Sequence, residues 1–154
     1  MRFLHAADIH LDSPLLGLER YYGAPHEELR GTVRQAFRNL VRLAITEKVD
    51  FVIIAGDLYD GDWRDYNTGL FLAKQMNELR DNGIRVFIVS GNHDAQSEIT
   101  KSLRLPDNVT VFSPRNAETV EVRELGVAIH GRSYEERAET DNFVPTYPAP
   151  VSGM

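Results

Sequence analysis

Cysteine is absent from the 154 residues of this sequence, and its absence excludes several kinds of site. Without thiols the chain forms no disulfide, no thiolate nucleophile and no zinc site built on cysteine. Any metal ion would therefore be bound by carboxylate, amide or imidazole groups.

Long apolar runs are also lacking. The segments "FVIIAG" and "VFIVS" are far shorter than the roughly 20 apolar residues that a membrane span needs. The N-terminal sequence "MRFLHAADIHL" places histidines and Asp8 where a secretory signal keeps an uninterrupted apolar stretch. These features argue against a membrane protein and predict a cytoplasmic one.

An excess of positive charge is missing as well. The 17 Lys and Arg residues are outnumbered by 23 Asp and Glu residues, which gives a net charge of -6 at neutral pH. Proteins that bind nucleic acid tightly without regard to its sequence normally carry a broad basic face. The composition argues against such a face.

The apolar residues that are present predict an α/β fold. Short runs rich in Val, Ile and Phe, bounded by polar or glycine-containing turns, are typical of strands buried on both faces. Such runs occupy residues 2–7, 50–55 and 85–90. Between them, stretches at about 26–48 and 64–82 carry apolar residues at helical spacing, and Gly83 stands where the second helix needs a C-terminal cap. This order of elements predicts a parallel βαβαβ sheet layered with helices.

The rest of the chain is less regular. We expect a short helix near 96–104, a strand at 109–112, and a hairpin of "TVEVREL" and "GVAIHG" through which the sheet continues. From residue 135 onward, charges, prolines and the lack of periodicity predict an irregular tail or the beginning of a part not present here. We therefore divide the chain into a domain at 1–134 and a segment at 135–154.

Polar side chains follow each of the three central strands. The groups are Asp8 and His10 in "DIH", Asp57 and Asp60 in "GDLYD", and Asn92, His93 and Asp94 in "GNHD". Because the carboxyl ends of parallel strands lie along one edge of a sheet, these side chains should converge there. In extended chain, Asp8 and His10 would point to the same side. Each group alone is more typical of a turn, but three groups on one edge favour a metal site.

The mixture of ligands indicates the chemistry of that site. Asp, His and Asn together suit Mn²⁺, Fe²⁺ or Zn²⁺, and the sequence does not choose among these ions. Two ions about 3.5–4 Å apart, bridged by a carboxylate such as Asp57, can clamp a phosphate group and activate water. Asn92 would bind an ion, His93 would contact the phosphate, and Asp94 would orient the imidazole. Asp60 is expected to shape the turn or to support the site.

Taken in order, the three motifs resemble those of the calcineurin-like metallophosphoesterase superfamily. More narrowly, "FLHAADIHLDSPL" with "GDLYD" is similar to the SbcD-type DNA repair exonucleases and to their YhaO-like bacterial branch. The resemblance covers residues 1 to about 134. It implies roles for five residues: Asp8 and His10 at the first ion, Asp57 between the ions, Asn92 at the second ion, and His93 as the catalytic histidine. It further implies Mn²⁺ as the activating ion, DNA with ends as the substrate, and an SMC-like coiled-coil ATPase as the partner.

The sequence also departs from this family. Members carry further metal-binding histidines downstream, a single His and then a His-x-His pair, and this sequence ends at Met154 without them. We therefore expect the truncated N-terminal portion of a longer nuclease, with an incomplete second ion site and weak or no activity. Among the other histidines, we expect His5 in the core and His130 near a strand end.

Two other functions fit the same sequence. A small-molecule phosphodiesterase or phosphatase would use the same metal-binding motifs, and the acidic composition suits it better than it suits a DNA-binding enzyme. A non-catalytic dimerisation module is the second alternative. The helix at about 64–82 supports it, because it has two apolar sides, one with Leu72 and Met76 and another with Tyr66 and Leu70. A helix that packs on a sheet needs only one apolar side.

Overall fold

A computed structural model describes residues 1–13, 26–59, 66–95 and 104–154, with the backbone alone for 26–30. The strands are β1 (Phe3–Ala6), β2 (Phe51–Ala55), β3 (Arg85–Val89), β4 (Val109–Val111), β5 (Glu118–Val122) and β6 (Val127–Gly131). The helices are α1 (His26–Thr46) and α2 (Tyr66–Asp81), and 3₁₀ turns lie at Arg123–Leu125 and Val144–Thr146. The predicted strands and helices of the βαβαβ unit are confirmed, with small shifts at their ends.

The first four strands form one parallel sheet in the order β1-β2-β3-β4. Phe51 on β2 lies opposite Phe3 on β1 and opposite Arg85 on β3, so the carboxyl ends of the three strands share one edge. Val52 and Val86 in the middle strands are fully buried. Central strands that are covered on both faces have unbroken apolar sequences, which is why these strands could be predicted from the sequence. The predicted α/β class with a parallel sheet is confirmed.

Both helices pack on one face of this sheet and form the main core with it. Each helix buries apolar residues that are three or four positions apart: Phe37, Val41 and Ala44 on α1, and Leu72, Met76 and Leu79 on α2. This spacing places them on one side of a helix. After α2, Gly83 has a φ of 73° and donates its N–H to the carbonyl of Arg80, as expected of a left-handed cap.

The hairpin forms a separate antiparallel sheet of β5 and β6. The hairpin itself was predicted, but the expectation that the main sheet continues through it is wrong. Its apolar side packs on the face opposite the helices, where Val122 joins Phe51, Phe87 and Phe112 in a second core. Gly131 permits this packing, because a Cβ there would collide with the ring of Phe112. The described chain therefore has three layers: helices, sheet and hairpin.

Other expectations have different outcomes. His5 is exposed and not in the core, because it lies on the edge strand β1, on a face that the described residues leave open. Asp60 and residues 96–103 of the expected short helix lie outside the described residues. The only helical or strand element of residues 135–154 is the 3₁₀ turn Val144–Thr146. Neither of the described helices is long and apolar enough to cross a membrane.

Candidate metal centre

The loops that follow β1 and β2 lie side by side and carry three of the predicted metal ligands. The N–H groups of Asp8 and His10 donate to the carbonyl oxygens of Gly56 at 3.2 Å and Asp57 at 2.9 Å. Asp8, His10 and Asp57 all have left-handed backbone, with φ of 52°, 46° and 51°. Such conformations are uncommon outside glycine and cluster at functional sites, where the surrounding structure has to hold them.

The left-handed residues correct one expectation. Because β1 ends at Ala6, Asp8 and His10 are not in extended chain, and the alternation of a strand does not explain how they converge. The hydrogen bonds to the neighbouring loop fix them instead. One ligand atom each from Asp8, His10 and Asp57 lies within 4.8 Å of the other two.

The donor set of this group fits a divalent metal ion. It combines two carboxylates with one imidazole; Asp8 is exposed, whereas His10 and Asp57 are half-buried. Protein ligands hold an ion such as Zn²⁺ at about 2.0–2.2 Å, so one ion could reach all three atoms after small side-chain movements. An ion bound there would polarise a phosphate oxygen and lower the pKa of a water ligand.

Glycine permits the close approach of the loops after β2 and β3. A Cβ at Gly91 would lie 2.7 Å from the backbone nitrogen of Asp57 and would also collide with the Asp57 carboxylate. Gly56, at a φ of 92°, is nearly as close, because a Cβ there would lie 3.2 Å from the Cα of Gly91. The Asp57 carboxylate can therefore lie against the loop after β3, where its Oδ1 accepts a hydrogen bond from the N–H of His93 at 3.0 Å.

His93 and Asn92 lie beside the Asp8, His10 and Asp57 group. The rings of His93 and His10 have centroids 5.0 Å apart and are nearly perpendicular, at 85°. Asn92 and Asp57 line the same cleft, which has a volume of about 180 Å³. The fold thus brings the predicted ligands and His93 to one edge, and the role of each stays a prediction.

Asp94 fastens two loops together. Its carboxylate accepts three backbone hydrogen bonds, from the N–H groups of Leu58 at 3.0 Å, Tyr59 at 2.7 Å and Gly91 at 3.0 Å. Burial raises the pKa of this carboxyl above its ordinary value, the three N–H donors lower it in part, and nearby Asp57 raises it further. The effect of Asp94 on the imidazole of His93 stays a prediction.

A buried charged cluster lies behind the β1 loop, and its partners were not predicted from the sequence. Asp12 is 3% exposed and has a left-handed φ of 56°. Its carboxylate accepts hydrogen bonds from Arg34 on α1, with Nε at 2.7 Å and Nη2 at 2.5 Å, and from the hydroxyl of Thr68 on α2 at 2.6 Å. The cluster ties the loop that carries His10 to both helices. A single aspartate in "LDSPL" does not reveal these distant partners.

Arg132 and Tyr134 also line the cleft beside Asp57, and the sequence motifs do not mark them. They follow β6 in "HGRSY", a segment without a ligand-type pattern. His130 in the same segment is hydrogen-bonded through Nδ1 to the Thr119 hydroxyl at 2.8 Å within the hairpin. It does not belong to the group of described residues that could hold an ion.

Comparisons with known proteins agree with this geometry. Residues 1–146 match the family described as Calcineurin-like phosphoesterase. The uncharacterized metallophosphoesterase YhaO of Bacillus subtilis is 35% identical over 150 residues, which cover 96% of this chain and 37% of YhaO. The DNA double-strand break repair protein Mre11 of Archaeoglobus fulgidus is 31% identical over 113 residues, 73% of this chain and 24% of that protein. A subunit of the nuclease SbcCD of Escherichia coli is 32% identical over 104 residues, 66% of this chain and 23% of that protein.

The chain thus spans 37% or less of the length of these relatives. Even so, the family match includes β1 to β6 and every residue of the candidate metal centre. Divalent metal ions are the cofactors of this family, in agreement with the Asp8, His10 and Asp57 group. The resemblance inferred from the motifs is confirmed, and the chain belongs to the calcineurin-like phosphoesterase family.

Proposed function

We propose that this chain serves metal-dependent hydrolysis of phosphodiester bonds in DNA, as an end-processing exonuclease in repair. One observation carries the proposal: Asp8, His10 and Asp57 present ligand atoms within 4.8 Å of one another, and the ring of His93 lies 5.0 Å from that of His10. A cation-binding group with an imidazole acid or base beside it is what attack on a phosphodiester needs.

Each residue has a proposed role. Asp8 and His10 would hold the first ion, Asp57 would bind both ions, and Asn92 would contribute its amide oxygen to the second. His93 contacts the phosphate, where its imidazolium stabilises negative charge or protonates the leaving oxygen. The backbone hydrogen bond from His93 to Asp57 supports this assignment, because it ties the position of the imidazole to the bridging carboxylate.

DNA is preferred over a small phosphodiester because of the relatives. One is named a DNA double-strand break repair protein and another is named as part of a nuclease. From the resemblance of the motifs to the SbcD-type exonucleases we further propose Mn²⁺ as the physiological ion and an SMC-like coiled-coil ATPase as the partner. The net charge of -6 favours the alternative, a small-molecule phosphodiesterase, so the two substrates have to be compared directly.

The test compares the wild-type chain with His93→Ala in millimolar Mn²⁺, on single-stranded DNA and on bis(p-nitrophenyl) phosphate. Enzyme in excess over substrate makes weak turnover measurable. We expect His93→Ala to lower the rate about 10²- to 10⁴-fold, the usual contribution of a general acid or base. Its Mn²⁺ content should equal that of the wild type, because His93 is assigned to the phosphate and not to the ions.

The matched control is His5→Ala, which removes an exposed imidazole from β1 and should change neither rate nor metal content. Loss of Mn²⁺ from His93→Ala would contradict the proposed role and make His93 a ligand. Wild-type hydrolysis of the small ester without any cleavage of DNA would replace the proposed substrate with a small phosphodiester.

Self-association is a second candidate function, and a specific observation favours it. Tyr66 is 88% exposed and Leu70 is 67% exposed, on the side of α2 that faces away from the core. We propose that this apolar side contributes to a homodimer. Sedimentation velocity on the wild type and on Tyr66→Ser/Leu70→Ser should show a dimer that the double substitution converts to monomer; a monomeric wild type would contradict this.

A further inference from the structure

The segment after β6 is held firmly beside the loop that carries Asn92. The backbone N–H of Tyr134 donates to the carbonyl of Ser90 at 2.9 Å, and the N–H of Ser90 donates to the Ser133 hydroxyl at 2.9 Å. That hydroxyl donates to the carbonyl of Phe112 at 2.6 Å, and Ser133 is 2% exposed. Residues 132–134 are therefore joined to the ends of both β3 and β4, next to the candidate metal centre.

Arg132 is held in place by neutral groups. Its Nε donates to the carbonyl of Pro114 at 3.2 Å, and its guanidinium carbon lies 3.8 Å from the centre of the Phe143 ring. Within the part of the chain that the structure describes, no carboxylate forms a salt bridge with Arg132. The guanidinium group therefore has N–H donors besides Nε, and its positive charge, with which to bind an anion.

Tyr134 adds an aromatic surface to the same wall. It is 37% exposed as a residue, and its ring packs edge to face on Phe143, with centroids 5.8 Å apart at 88°. Phe143 thus supports both Arg132 and Tyr134. A fixed cation next to a fixed aromatic ring is the combination with which proteins bind single-stranded nucleic acid, because phosphates pair with the cation and bases stack on the ring.

The cleft connects this wall to the metal centre. Arg132 and Tyr134 line it together with Asp57 and Asn92, and its volume is about 180 Å³. Pockets that enclose a drug-sized molecule measure about 300–1,000 Å³. This smaller cleft therefore suits one nucleotide of a single strand rather than a duplex. A strand whose reacting phosphate lay at Asp57 would place its neighbouring nucleotide against this wall.

We propose that Arg132 and Tyr134 form a nucleotide subsite, in which Arg132 binds the phosphate and Tyr134 stacks on the base of an unpaired nucleotide adjacent to the reacting phosphodiester. This inference rests on the proposed function, since it supposes that the reacting phosphate lies at the metal centre. It deepens that function by assigning a single-stranded substrate end to the cleft. It also gives an acidic chain a local attraction for DNA.

The test measures binding of a phosphorothioate oligothymidylate, which resists hydrolysis, to the full chain in Mn²⁺ by fluorescence anisotropy at several salt concentrations. Tyr134→Ala should weaken binding about 5- to 150-fold, the range of one base–aromatic stack, and Tyr134→Phe should restore it. Arg132→Met should reduce the slope of log K against log salt by about 0.7, the value for one phosphate contact to a single strand, whereas Arg132→Lys should keep the slope.

The controls are Arg123→Met and Tyr147→Ala, which remove an exposed cation and a surface aromatic from elsewhere and should leave binding unchanged. Thermal melting shows whether Arg132→Met and Tyr134→Ala are folded; if either is not, Arg132→Gln or Tyr134→Leu replaces it, with the same expected loss of salt slope or affinity. Wild-type affinity in Tyr134→Ala together with an unchanged salt slope in Arg132→Met would overturn the subsite. If the wild type hydrolyses neither DNA nor bis(p-nitrophenyl) phosphate but these variants still lose binding, the proposed function fails and Arg132 and Tyr134 remain a nucleotide-binding wall.

Discussion

The buried Asp12–Arg34 pair allows a prediction whose magnitude follows from the structure. Replacing Arg34 by Met keeps an unbranched apolar side chain beside the ring of Phe71. It removes the guanidinium, whose Nε and Nη2 both donate hydrogen bonds to the Asp12 carboxylate. The side chain of Asp12 is 5% exposed and that of Arg34 is 29% exposed. The substitution therefore removes the positive charge of Arg34 from a buried carboxylate.

Breaking a buried ion pair by removing one partner costs about 3–5 kcal/mol. Thr68 still donates to Asp12 in the variant, and Arg34 is partly open to water, so we expect the low end of that range. A loss of about 3 kcal/mol is a large fraction of the 5–15 kcal/mol that stabilises a typical domain. At about 2–4 °C per kcal/mol for a chain of this size, the melting temperature should fall by about 6–12 °C.

Urea unfolding of the wild type, Arg34→Met and Asp12→Asn/Arg34→Met measures this effect. The double variant should recover part of the loss, because the amide of Asn carries no charge to desolvate. Arg80→Met is the matched control, since Arg80 pairs with Asp81 on the surface, where ion pairs contribute about 0–1 kcal/mol. A loss below about 1 kcal/mol in Arg34→Met, equal to that of the control, would refute the reasoning.

Further predictions concern the metal centre itself. Gly91→Ala should weaken Mn²⁺ binding, because its Cβ would collide with Asp57. Gly31→Ala, whose Cβ meets nothing within 4 Å, should bind Mn²⁺ normally; calorimetry compares the two, and equal affinities would contradict the close approach. The chain should hold one Mn²⁺ tightly and a second weakly, because among the described residues we propose only Asp57 and Asn92 as ligands of the second ion. Equilibrium dialysis counts the ions, and two tight sites would contradict this ligand count. Arg34→Met should also weaken Mn²⁺ binding about 10- to 100-fold, as the loss of a residue that supports a metal ligand usually does. Unchanged affinity would show that the Asp12–Arg34 cluster does not support the metal ligands.

Sequence reasoning predicted the convergence of the candidate ligands because the parts of this edge are local. Apolar runs marked β1, β2 and β3, and each polar group follows its strand directly, so the parallel topology alone implied their convergence. The conformation of Asp8 and His10 was not predictable in the same way. Their left-handed backbone depends on hydrogen bonds to Gly56 and Asp57, which lie on another strand's loop.

Features that depend on distant pairing were missed for the same reason. The sequence indicated the β5–β6 hairpin but not whether it joins the sheet edge or packs across a face, because alternating apolar residues suit both arrangements. Its position on the face depends on Gly131 fitting over Phe112. Arg132 and Tyr134 reach the cleft only through that arrangement, so no motif near the predicted ligands indicated them.

Calorimetric titration of Mn²⁺ into the wild type and Asp57→Asn tests the central claim most directly. Asp57 is the one carboxylate assigned to both ions, so its neutralisation should weaken Mn²⁺ binding more than any other single substitution. Asp81→Asn, which neutralises an exposed carboxylate on α2, should bind Mn²⁺ like the wild type. We predict that Asp57→Asn loses the tight site and with it all Mn²⁺-dependent hydrolysis. Equal Mn²⁺ affinity in Asp57→Asn and the wild type would contradict the metal centre proposed for this edge of the sheet.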